Sequence, residues 1–126
     1  MTLLQRLDSE TRAARQFLLD APAIRRALAG DVTRDLYLAF LGQAFHHVRH
    51  TVPLLMAVGS RLEDDQSWLR SQIVHYLDEE NGHEQWILDD IEAAGGDRGA
   101  AERAPPQVET DAMVAFAGSA RRNAAP

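Results

Sequence analysis

Leu69, Ile73, Tyr76, Glu80, His83, Ile87 and Ile91 fall on one stripe when the chain is read in steps of three and four. That spacing puts all seven on one face of a helix. The outer five are apolar or aromatic, and the middle two are a carboxylate and an imidazole. An ionised carboxylate facing a core is costly unless something pairs with it. A metal ion is one such partner, and Glu-x-x-His is a spacing by which one helix of a carboxylate di-metal bundle supplies ligands.

The rest of the chain points the same way. Alternating β-branched runs are absent, while Ala, Leu, Arg, Glu and Gln dominate, so the fold class expected is all-α. A first helix is expected over Leu3 to Leu19, ended by Asp20-Ala21-Pro22. A short one follows over Ala23 to Ala29 and stops at Gly30. Asp31 or Thr33 caps a long helix running toward Arg61, which Pro53 should kink near His50. After a loop at Glu63-Asp64-Asp65, a second long helix runs from about Gln66 to Ala94. Gly95-Gly96 ends it. The short loop makes the two long helices antiparallel neighbours. In domain terms, residues 1–96 form a helical bundle, 97–109 an irregular linker, and 110–126 a terminal helix and tail of the same domain.

The totals set limits. A chain of 126 residues fits one domain. A net charge of −6 and a pI near 5.2 argue against nucleic-acid binding, which needs a basic footprint. With no cysteine there is no disulfide, thiolate metal site or cysteine nucleophile. No apolar run is long enough to span a membrane and the first residues lack a signal-peptide core, so the expected location is cytoplasmic. Neither a Gly-rich phosphate loop nor a nucleophile-elbow serine is present.

Two constellations carry the chemistry. Glu80 and His83 face the same way if the helix is continuous, and His75, Glu79 and His83 form a second ladder at steps of four. Carboxylate plus imidazole suits Fe, Mn or Zn. The competing reading is a genuine break at Asn81-Gly82, which would leave the pair on a solvated turn. On the other long helix, the stripe Leu36, Phe40, Gln43, His47, His50, Leu54 is again polar in its middle, with His46 and His50 as a further pair. The two polar middles could face each other around a pocket or metal site, or the histidines could be hydrogen-bonded core residues. Asp89, Asp90 and Glu92 read as a solvated face. Arg12 and Arg15 read as surface arginines or an anion clamp, and Trp68, Trp86, Tyr37 and Tyr76 as core or pocket aromatics.

The runs Tyr37-Leu-Ala-Phe-Leu41, His46-His-Val-Arg-His-Thr-Val-Pro-Leu-Leu55 and His75 to Ile91, closing on Gly95-Gly96-Asp97, resemble the heme-oxygenase-like superfamily. The likeness covers about Thr33 to Asp97 and is nearest to the TenA-like and iron-containing redox members, the non-heme di-iron oxidases. It implies a heme-oxygenase-like helical bundle, here partial, with two long antiparallel helices plus shorter ones. It implies an iron-dependent oxidase or oxygenase acting on a small organic substrate. Glu80, His83 and Glu79 would bind iron, singly or as a di-iron centre, and Gln43, His46, His47, His50 and Tyr76 would contact substrate or support the ligands. The alternatives are a non-catalytic TenA-like binding or interaction module and, lowest, a heme binder using His46, His47 or His50. Three departures stand out. The first helix has Arg15 where heme oxygenases carry a heme-ligating histidine. Thiaminase members need a cysteine. The later helix whose two histidines flank an acidic residue has no counterpart after Asp97. The chain therefore looks like the N-terminal half of such a bundle, truncated or completed by self-association, and a homo-oligomer is expected.

Overall fold

Thr2 begins the first helix by a reciprocal cap: its hydroxyl accepts from Gln5 N at 3.2 Å, and Gln5 Oε1 accepts from Thr2 N at 2.8 Å. This capping box satisfies two of the amides that every helix start leaves free. The computed structural model describes residues 1–123, with side chains to 119; positions 124–126 of the expected tail lie outside the described residues. Eight α-helices and a single 3-10 turn are found among the described residues, with no strand.

The chain divides into two units, Met1–Leu36 and Tyr37–Pro126. The first holds α1 (Leu3–Asp20) and α2 (Pro22–Leu28). Pro22 opens α2, where a missing N–H costs nothing. Of the two candidate caps for α3 (Arg34–Val48), Thr33 is the one used: its hydroxyl accepts from Leu36 N at 3.2 Å. Asp31 instead pairs with Arg26 at 2.8 Å. Arg12 and Arg15 both pair with Asp8, so they are intrahelical surface arginines. No described residue of this unit is buried, and Leu3, Leu4, Leu7, Phe17 and Leu18 of α1 stay exposed.

The second unit carries the core. Leu41 and Phe45 of α3 cluster with Leu88 and Ile91 of α6 (His83–Ala93), and Leu38, Ile87 and Ala101 pack around them. Both long helices expected from sequence are broken near their centres. The first stops at Val48 and restarts as α4 (Thr51–Gly59) after Arg49-His50. The cause is Pro53, which has no N–H to bond the carbonyl four residues back and would clash with it. Restarting at Thr51 puts Pro53 in a first turn, where no such bond is needed. The expected kink is thus a full break. The second helix stops as α5 (Ser67–Glu80) and restarts as α6. Asn81 is extended, with φ −66° and ψ 117°, and Gly82 is left-handed at φ +93°. The continuous helix to Ala94 is therefore overturned: at φ +93° Gly82 ends one helix and starts the next.

Short contacts brace these pieces. α4 packs on α5, as their short connection requires, and on α8 (Val108–Asn123). Arg70 Nη2 donates to the carbonyls of Leu62 and Glu63 at 2.5 and 3.3 Å and ties down the turn between α4 and α5. The expected irregular linker contains a helix, α7 (Arg98–Arg103), capped by Asp97, whose Oδ1 accepts from Ala100 N at 2.8 Å. Arg98 fastens α7 to α6 through Asp89 and through Gln85 Oε1 at 2.9 Å. No described helix is long and apolar enough to cross a membrane.

Candidate metal-ligand pair at a helix break

Glu80 is the last residue of α5 and His83 the first of α6. The break does not release them to bulk water. Their side chains are 19% and 30% exposed, and His83 Nδ1 lies 3.0 Å from Glu80 Oε2. A carboxylate only accepts, so the ring nitrogen in that bond is the one carrying hydrogen, and in a neutral ring Nε2 keeps the free lone pair. The Trp86 indole lies against the imidazole, with centroids 4.5 Å apart and planes tilted by 39°. The Tyr76 hydroxyl is raised above its ordinary pKa, first by the charge of Glu80 and then by loss of solvent around it. Tyr76, Glu80, His83 and Trp86 thus form one cluster around the break.

Other expected site residues lie elsewhere. Glu79 turns to solvent and pairs with His75 at 3.5 Å, both well exposed. The break removes His83 from the ladder in which it was to follow them. Gln43 acts as a structural pin: its Oε1 accepts from Gln107 N at 2.9 Å and from Thr110 Oγ1 at 2.8 Å, fixing the start of α8. His46 is buried, 7% exposed, edge-on to Phe45 with centroids 5.4 Å apart. Burial lowers its pKa, and the nearby charges of Arg49 and His50 lower it further. His47 and His50 are half-buried. His46 and His50 line a cavity together with Arg49 and the start of α8. Trp86, assigned from sequence only to core or pocket, is the residue of the cluster not singled out; its i+3 spacing from His83 was the available signal.

Glu80 and His83 suit iron in kind, since hard carboxylate and imidazole donors both bind it. They do not suit it in number: no group of three or more His, Asp or Glu side chains that could hold an ion is gathered among the described residues.

The model of a known family, described as iron-containing redox enzyme, matches residues 38–125, which include this pair. The chain belongs to the iron-containing redox enzyme family. The heme-oxygenase-like fold expected from the sequence is borne out by a crystal structure from Shewanella denitrificans OS217, solved at 2.30 Å and described as a domain of unknown function with a heme oxygenase-like fold. It aligns with a TM-score of 0.85 at 25% identity, over 100% of this chain and 55% of that one. The chain thus spans a little over half the length of that protein. Among curated proteins none matches.

Proposed function

We infer that this chain supplies part of the iron site of a non-heme oxidase or oxygenase acting on a small organic substrate in the cytoplasm, with Glu80 and His83 as iron ligands. The observation that carries the reading is the half-buried Glu80–His83 contact in a chain of the iron-containing redox enzyme family. Iron bound there would supply dioxygen activation, the chemistry that side chains lack. The remaining tasks fall to the chain. Glu80 holds the Nδ1 proton of His83 and so fixes the ring orientation. The charge of this carboxylate holds the Tyr76 hydroxyl in its protonated form. Trp86 covers the imidazole. Imidazole and carboxylate coordinate only through unprotonated atoms, so metal uptake by this pair weakens as pH falls.

Self-association belongs to this reading, because Phe40, Trp68, Trp86 and Phe116 each expose more than 60% of their surface. Heme is disfavoured: the cavity at His46 and His50 measures about 260 Å³, below the roughly 300–1,000 Å³ of ordinary ligand sites.

The test is iron content after purification from iron-supplied cells, alongside light scattering. Iron retained by the wild type and lost from both Glu80→Ala and His83→Ala, with helicity unchanged, is expected. Iron-free wild type with intact helicity would transfer support to the non-catalytic binding module. Iron retained in both variants would remove the assigned ligands.

A further inference from the structure

A cavity of about 260 Å³ lies between the break after α3 and the first turns of α8, away from the Glu80–His83 pair in its lining. His46, Arg49 and His50 line one side; Pro106, Thr110, Asp111 and Val114 line the other. Its ends carry opposite charge. Arg49 has no carboxylate partner among the described residues; its guanidinium carbon sits 5.3 Å from the Phe45 ring centroid. Asp111 likewise has no cationic partner among them, and the two are too far apart to pair with each other. A formal cation and a formal anion that share a small cavity without meeting leave both free for a third body.

Two further observations show that this is a built site. His46 is more than nine-tenths buried on the cavity wall, held edge-on against Phe45 of the core. The opposite wall is held by Gln43, which clamps Gln107 N and Thr110 Oγ1 from 64 and 67 residues away. The walls are thus preorganised, which reduces the ordering cost of binding.

We propose that this cavity binds a small zwitterion of the α-amino-acid type, with its carboxylate on Arg49 and His50 and its ammonium on Asp111. A planar guanidinium matches a carboxylate in two parallel hydrogen bonds. A carboxylate at the far wall suits an ammonium. A plain anion would meet Asp111 with like charge, and a plain cation would meet Arg49. The volume admits a ligand of few heavy atoms only. The inference stands apart from the iron reading, since neither Glu80 nor His83 lines the cavity.

Calorimetric titration of the full chain with each protein-forming L-amino acid, to about 10 mM, tests it; a weak specific site has a Kd near 1 mM. At least one amino acid should bind saturably. Propionate and ethylamine, each carrying half of the charge pattern, should bind at least about tenfold more weakly, as hydrogen bonds to charged groups imply. Arg49→Gln and Asp111→Asn should each weaken the amino acid by a similar factor. Val114→Phe fills the cavity without changing its charge and should abolish binding, while Glu10→Gln in α1 should leave it unchanged. Circular dichroism checks that each variant keeps its helices, and Val114→Phe decides if a charge variant does not. No saturable amino acid, equal binding of propionate or ethylamine, or binding that survives Val114→Phe would overturn the proposal.

Discussion

Replacing Gly82 with Ala separates two structures of the central segment by the sign of one measurement. In an uninterrupted helix, Gly→Ala stabilises by about 1 kcal/mol, because glycine loses more backbone freedom there. At φ +93° the balance reverses. An L-residue in the left-handed region costs about 1–2 kcal/mol. Steric crowding adds nothing, since a Cβ at this position meets no heavy atom within 4 Å. The penalty is therefore pure backbone, and the net expectation is destabilisation of about 1–2 kcal/mol. With a urea m-value of about 2 kcal/mol/M, the midpoint falls by roughly 0.5–1 M. Urea unfolding followed by circular dichroism reads this directly. Gly42→Ala calibrates it: Gly42 lies inside α3, also with nothing within 4 Å of its added Cβ, and should gain about 1 kcal/mol. If both variants gain stability, the helix runs through Asn81-Gly82 and the geometry assigned to the Glu80–His83 pair is wrong.

Three other substitutions probe the frame. In Gly96→Ala the new Cβ would sit 2.9 Å from both Ile91 Cγ2 and Leu38 Cδ2; overpacking of this kind costs about 1–3 kcal/mol, and a melting temperature no lower than wild type would refute the close approach. Gln43→Ala strips Gln107 N and Thr110 Oγ1 of their shared acceptor, so amide exchange across Thr110 to Ser119 should accelerate, with about 1–3 kcal/mol lost; unchanged protection would show that α8 is held by other contacts. His46 has a lowered native pKa because it is buried beside Arg49 and His50. The unfolded chain therefore binds the proton more readily, and stability is full above the ordinary imidazole pKa and declines as pH drops below it toward the native value. His46→Asn should remove that part of the slope, and a pH profile parallel to wild type would contradict the assignment.

Periodicity exposed the all-helical class and most helix ends, because caps and breakers act locally. Thr33 and Gly30 are read from two or three neighbours. The break at Gly82 was harder to read. The same apolar phase is compatible with one long helix or with two joined by an extended and a left-handed residue. The backbone tells them apart: Asn81 is extended and Gly82 left-handed at φ +93°, and Leu88, off the expected stripe, joins Ile91, on it, in the core. The meeting of Glu80 and His83 was legible because a carboxylate and an imidazole interrupt an apolar stripe. Glu79 could not be placed, since its partner His75 lies on a solvent face that spacing alone does not distinguish. Gln43 resembled a pocket residue because its role depends on backbone and hydroxyl groups some 64–67 residues away, beyond any local pattern.

Donors mounted on a single unbroken helix have their separation dictated by its pitch. Here one donor rides on each of two rods, of 14 and 11 residues, joined by a two-residue swivel. A turn of one rod against the other at the swivel would change the distance between the two side chains, which now stand 3.0 Å apart. Because α5 packs on α4 and α6 on α7, such a turn would be felt at both of those contacts.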